Sequence, residues 1–193
     1  MQNTQVKTLS GQRLRAAMKQ RGYSLPELAI VILVIGLLGS IAALILPNIF
    51  ASYRAGKITD EFNITIPAIQ TAYQNRTSYA GLTTAQVAQN RWVGSGMTEI
   101  TNGVPSGNIL TPWGQLTFAT ASNNTQGQGT LNNIPGRECI RIVTAMGADQ
   151  YLTVSVNGTS VKTGTAALDL TASGTACNNA AGASTIVFTF GRA

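Results

Sequence analysis

The stretch RGYSLPELAIVILVIGLLGSIAALILPNIF, residues 21–50, decides how this chain is read. Nineteen of its residues, Leu28 to Leu46, carry no charge, and one carboxylate, Glu27, stands directly against them. A helix that spans a bilayer needs about 20 apolar residues, so the run is just long enough. A secretory signal would have a shorter apolar core, roughly 7–15 residues, with a small-residue cleavage site after it. Here Leu46-Pro47-Asn48 follows without such a site, so any cleavage is expected before the run.

Working outward, residues 1–22 hold Lys7, Arg13, Arg15, Lys19 and Arg21 and no acid, a charge of +5. From residue 23 onward eight basic and seven acidic residues leave only +1. The chain reads as a basic tail on a nearly neutral body. Basic residues beside an apolar run keep the N-terminus cytoplasmic. A nucleic-acid-binding arm is the rival reading, but the body offers no aromatic and basic patch to continue it, so no nucleic-acid partner is expected. Both cysteines, Cys139 and Cys177, lie beyond the run, on the oxidising side if the tail stays inside. Two cysteines allow one pairing. With no histidine in the chain, two thiolates do not complete a zinc shell.

Beyond Pro47 the pattern turns amphipathic. Ile58, Phe62, Ile66, Ile69 and Tyr73 recur at spacings of four, four, three and four, which lines one helical face. A helix from Leu25 to about Ser78 is expected, strained at Pro47 and Pro67 and weakened at Gly36 and Gly39. Thr83 to Val87 reads as a capped short helix reaching about Trp92. Residues 94–135, dense in Gly, Asn, Ser, Thr and Pro, read as loops with one strand near Leu116–Ala119. Cys139–Thr144, Tyr151–Val156, Thr159–Val161 and Thr185–Phe190 read as strands. Asn157-Gly158 between two of them is a hairpin signal, because a type I′ turn needs residues that tolerate positive φ. The expected fold class is α+β: one long N-terminal helix packed on a C-terminal antiparallel sheet.

Enzymatic chemistry finds little support. Histidine, the commonest general base, is missing. Asp60 and Glu61 are adjacent and diverge on a helix, and Ser95 in Gly94-Ser95-Gly96 reads as a turn residue. No P-loop or nucleophile elbow is present. No catalytic residue, cofactor or metal is expected. Trp92 and Trp113 are expected to pack the loop region onto the sheet.

Glu27 remains to be explained. A carboxylate at bilayer depth costs about 2.5–3.5 kcal/mol on insertion scales. One reading places it just outside the hydrocarbon, where a helix N-terminus favours negative charge. The other comes from its neighbours. Gly22-Tyr23-Ser24-Leu25-Pro26-Glu27 resembles the cleavage motif of type IV prepilins and of the related pseudopilins of type II secretion: a glycine, a hydrophobic residue, and a glutamate five residues after the cut. The basic leader and the apolar helix match as well. Position 23 is Tyr where the family usually has Phe, Met or Leu, and Pro26 stands where Ile or Leu is common.

The resemblance implies a pilin fold and a structural subunit. A prepilin peptidase would cut between Gly22 and Tyr23 and methylate the new amine of Tyr23. Glu27 would then neutralise that amine on a neighbouring copy, a register device more than a source of net stability. Three segments follow: residues 1–22 as removed leader, 23–50 as the transmembrane and assembly half of the helix, and 51–193 as the outer αβ domain with its amphipathic half. The long leader and the cysteine pair are similar to those of type IVb pilins. The implied function is the major pilin of a type IVb pilus, a helical homopolymer for adhesion, aggregation or conjugation. A pseudopilin or a minor pilin is the alternative. Implied partners are the bacterial inner membrane, where the prepilin sits before it becomes an extracellular filament, the peptidase, an assembly ATPase and a platform protein. Gly36, Gly39 and Pro47 read either as close-packing membrane-helix residues or as points where the helix unwinds in a filament.

Overall fold

The computed structural model of the protein describes residues 24–179 and 182–191. Gly22 and Tyr23, with the whole basic leader, lie outside the described residues. The chain falls into two units, Met1–Ala42 and Ala43–Ala193.

Helix α1 runs over Leu25–Ala72, shorter than the expected end at Ser78, with Pro47 and Pro67 inside it. Its buried face carries Ile58, Phe62, Ile66, Ile69 and, just past its end, Tyr73, all of the expected stripe. Ala51, Ala55 and Thr65 extend that face. The second helix, α2 (Thr84–Gln89), is capped by Thr83, whose hydroxyl accepts from the Gln86 N–H at 3.2 Å.

Strands β1 (Thr98–Thr101), β2 (Val104–Thr111), β3 (Gly114–Ala121) and β4 (Gln126–Pro135) follow. Helix α3 (Gly136–Ala145) precedes β5 (Tyr151–Val156) and β6 (Thr159–Thr163), and α4 (Leu170–Cys177) precedes β7 (Ala183–Gly191). All seven strands form one sheet, in the order β1-β2-β3-β4-β7-β5-β6, with every pair antiparallel. The last strand in sequence therefore sits inside the sheet, between β4 and β5. Phe62 of α1 meets Phe188 of β7 at 5.1 Å between ring centres, so the helix stripe and the sheet share one core. Trp92 and Trp113 are partly buried against it, as expected.

The structure corrects two readings. Residues 94–135 are not mostly loop: they build four strands. Their Gly, Thr and Gln content hides a real alternation, because Gly127 and Gly129 are inward members of β4, in line with the buried Leu131. They face Phe190 and Phe188 as register partners, and a Cβ on either glycine would overlap the ring opposite. A strand can leave side chains out where its neighbour's are large. Second, Cys139–Thr144 is helix and not strand. Its buried residues Cys139, Ile142, Val143 and Met146 follow at three, one and three, a helical period that its β-branched content obscures.

Asn157-Gly158 does turn β5 into β6, with φ of 51° and 83°. Asn102-Gly103 turns β1 into β2 in the same way, with φ of 53° and 79°. Both pairs meet the type I′ requirement for two positive φ values.

Candidate functional site

The candidate site begins at the first turn of α1. Glu27 closes a reciprocal cap with Ser24. The Ser24 N–H donates to Glu27 Oε2 at 3.0 Å, the Ser24 hydroxyl donates to the same oxygen at 3.2 Å, and the Glu27 N–H donates back to Ser24 Oγ at 3.4 Å. The Leu28 N–H meets the Ser24 carbonyl at 3.1 Å, the first bond of the helix. This is a capping box, and it satisfies two donors that a helix end leaves open. Pro26 sits in the same first turn, where a missing N–H costs nothing. The Ser-x-x-Glu spacing was present in the sequence as a signal for the exact start of the helix. Among the described residues, Glu27 Oε1 takes no part in the box.

Behind Glu27 the apolar residues of α1 stand bare. Leu28, Ile30, Ile32, Leu33, Ile35, Leu37 and Leu38 are all exposed, and none of the most apolar 18-residue window is buried. That window has a mean hydropathy of 3.0, and this helix is long and apolar enough to cross a membrane. Nothing stands within 4 Å of a Cβ built on Gly36 or Gly39. The Ser40 hydroxyl is turned back onto the Leu37 carbonyl at 2.7 Å, so it presents no unpaired donor on this surface.

The folded unit is held by a separate set of ties. Cys139 of α3 and Cys177 at the end of α4 form a disulfide with a Cα separation of 5.7 Å, both buried. A Cβ on Gly136 would lie 2.9 Å from the Cys177 carbonyl, so the two helix ends meet backbone to backbone there. Asn157 has a second task besides its turn. Its Nδ2 donates to the Ala176 carbonyl at 2.9 Å and its Oδ1 accepts from the Thr185 N–H at 2.8 Å, which joins the hairpin to α4 and β7. Lys162 of β6 is buried, and its ammonium donates to the Gly147 and Ala148 carbonyls at 2.7 and 2.8 Å. Those carbonyls follow the C-terminus of α3, where a cation is favoured.

Glu138 and Glu61 tie α1 to other parts of the folded unit. Glu138 is buried in the first turn of α3, 4.0 Å from the Arg54 guanidinium of α1, and the neighbouring Arg137 donates to Asn48 Oδ1 at 2.9 Å. Glu61 accepts the Gly94 N–H at 3.0 Å, and a Cβ on Gly94 would displace its carboxylate. Sequence reading passed over Glu61, since its partner is 33 residues away. Asp60, beside it, is exposed, so the two carboxylates do diverge. Ser95 lies in the turn that Glu61 anchors, within the Met97 N–H to Gly94 carbonyl bond of 3.0 Å. Glu99, on β1, accepts from Ser106 Oγ at 2.6 Å and Asn108 Nδ2 at 2.8 Å, bonds that hold its carboxyl below the usual range. Among the described residues no three His, Cys, Asp or Glu side chains gather as a metal site.

Three solved structures are similar to this chain. The crystal structure of a type IVb pilin from Salmonella typhi matches with a TM-score of 0.55 at 21% identity, covering 71% of this chain and 99% of that one. The NMR structure of the type IVb pilin PilS from Salmonella typhi gives a TM-score of 0.45 at 19% identity, covering 70% and 95%. The crystal structure of TcpA, a type IV pilin from Vibrio cholerae El Tor biotype, gives 0.49 at 16%, covering 74% and 100%. No curated protein sequence matches this chain significantly. The profile of the family described as Bundlin matches residues 52–191, which is most of the chain and all but the edge of the folded unit. With a long N-terminal helix, a seven-stranded antiparallel sheet and that match, the chain belongs to the Bundlin family of type IVb pilins.

Proposed function

We propose that this pilin is the major subunit of a type IVb pilus. The observation that carries the reading is the bare apolar helix headed by one capped carboxylate. An exposed run of leucine and isoleucine needs a bilayer or copies of itself to cover it. The precursor sits in the bacterial inner membrane with residues 1–22 cytoplasmic. A prepilin peptidase cuts between Gly22 and Tyr23 and methylates the Tyr23 amine. Residues 23–50 then pass from bilayer to filament core, driven by an assembly ATPase and platform protein, and residues 51–193 form the outer surface.

The capping box supports a specific role for Glu27. Such a cut leaves the Ser24 N–H in place, so the box survives it. Oε2 stays with Ser24, and Oε1 is left to accept the amine of another copy's Tyr23. A paired charge is tolerated in an apolar core, while either charge alone is costly. A heterologous contact of this kind, repeated without closing a ring, builds an open filament.

The test is the composition of filaments sheared from cells that make this chain. Filaments built mostly of it support the major-pilin reading. A chain present in few copies, or confined to a secretion apparatus in the envelope, overturns that reading in favour of a minor pilin or pseudopilin. Glu27→Ala should still be cleaved but fail to assemble, and normal filaments from it would refute the pairing.

A further inference from the structure

Beyond residue 50, and among the described residues, six large apolar side chains are exposed: Tyr53, Ile64, Ile100, Val104, Leu110 and Leu170. They are not scattered evenly. Ile100, Val104 and Leu110 lie on β1 and β2, and Tyr53 lines the same groove as Leu110. Leu170 stands apart at the start of α4, which packs on β5 and β6. The strand order puts β1 and β2 at one end of the sheet and β5 and β6 at the other.

The first end is a receiver. A groove of about 370 Å³ is lined by Tyr53, Arg54, Lys57, Met97, Leu110 and Pro112, mostly apolar with two cations. No acid lines it, and Lys57 pairs with no carboxylate among the described residues. The far end is a knob with the opposite charge. Leu170 is 66% exposed and its neighbour Asp169 is exposed too. Asp169 caps α4 through Oδ1, which accepts the Ala172 N–H at 2.9 Å, and this leaves Oδ2 outward. Ile64 is also exposed and sits one turn from Asp60, but it shares α1 with the groove residues and not the far end.

We propose that the groove receives Leu170 of a second copy, with that copy's Asp169 paired to Lys57. Because groove and knob lie at opposite ends of one sheet, the contact is heterologous and can repeat from copy to copy along a filament. It would bind outer domains side by side in addition to any packing of the apolar helices. The inference rests on the filament reading above.

The experiment places a photo-crosslinking benzophenone amino acid at position 170 of the full chain, in cells that assemble filaments. Crosslinks between copies should map to the peptides holding Tyr53–Ile58 or Met97–Pro112. Crosslinks confined to other surfaces, such as the one around Ile64, overturn the proposal. A reciprocal probe at position 110, expected to reach Leu170–Cys177, covers the case where the first blocks assembly. Leu170→Ser should lower filament yield about tenfold, the loss expected when one leucine is no longer buried. Asp169→Asn keeps the helix cap and removes the charge, and should lower yield about two- to fivefold. Combined with Lys57→Gln it should lose no more than either alone; additive losses, or none, count against the pairing. Filaments failing to form from the unaltered chain would sink the polymer reading itself. Filaments with crosslinks elsewhere would sink only this contact.

Discussion

Gly127→Ala should destabilise the folded unit although it adds one methyl group to a strand. A Cβ at that position would lie 2.6 Å from two ring carbons of Phe190 and 2.9 Å from a Leu82 methyl. Carbon atoms rest at about 3.5–4.0 Å, so the ring must move by about 1 Å. It has nowhere to go. Phe190 is fully buried and packs against Tyr79, Phe118 and Phe188 with ring centres at 6.0, 6.2 and 6.3 Å. Overpacking of this kind costs about 1–3 kcal/mol. Restricting the unfolded chain returns about 0.4–1 kcal/mol, which leaves a net loss centred on about 1.3 kcal/mol. Gly174→Ala is the matched control. It lies inside α4 with nothing within 4 Å of its Cβ, and there alanine should stabilise by about 0.5–1 kcal/mol. The assay is urea unfolding of the full chain in detergent, read as a shift in midpoint at constant slope. The two substitutions should move the midpoint in opposite directions. Adding Phe190→Leu to Gly127→Ala should recover part of the loss, with a coupling of about 1 kcal/mol or more. A Gly127→Ala protein as stable as the parent would refute the close fit of β4 against β7.

Removing the disulfide by Cys139→Ala with Cys177→Ala tests the staple between α3 and α4. For a sequence separation of 38 residues, the chain-entropy relation gives about 4 kcal/mol, a large share of the stability of a domain this size. Thermal unfolding should show a drop in midpoint well beyond that of Gly127→Ala, and an unchanged midpoint would count against the pairing. At high pH a different group controls stability. Burial pushes the Tyr151 phenol from 10 up to about 12, so the folded state keeps a proton that the unfolded chain releases. Its contribution is intact below pH 10 and is lost as pH rises toward 12, at about 1.4 kcal/mol per unit. Ultraviolet titration should show a phenolate that appears well above pH 10, and Tyr151→Phe should remove it. If Tyr151→Phe leaves the titration above pH 10 unchanged while the fold persists, Tyr151 is not where the structure places it.

The parts of the fold that were legible are those where side chains repeat with a period. The stripe from Ile58 to Tyr73 announced its buried face because each of its members is large. Strands β5, β6 and β7 announced themselves through valine and phenylalanine alternation. The same logic failed for β4, whose inward positions include Gly127 and Gly129. Their meaning depends on Phe188 and Phe190, about 60 residues later in the chain, and that pairing is a tertiary fact. Asn102-Gly103 carries the same turn chemistry as Asn157-Gly158 but lacks valine-rich strands on both sides, so its hairpin went unread. Helix α3 was misread because Ile140, Ile142 and Val143 favour strands, and its spacing at 139, 142, 143 and 146 was the better guide. Helix α4 interleaves its Leu and Ala with Thr, Ser, Gly and Cys and was missed, though Asp169 signals its cap. Around Glu27 the Ser-x-x-Glu spacing carried the signal of the helix cap, which the structure shows. The clamps made by Glu61, Asn157 and Lys162 were not legible, because each joins residues distant in sequence.

The central claim is that a membrane-held precursor becomes a filament subunit by losing its basic leader. Intact mass and N-terminal sequencing of the protein recovered from cells test it most directly. The account predicts a chain that begins at Tyr23, lacks residues 1–22, carries a methyl group on its terminal amine and is lighter by the two hydrogens of the Cys139–Cys177 bond. A protein that keeps Met1 and remains single in the membrane would contradict it.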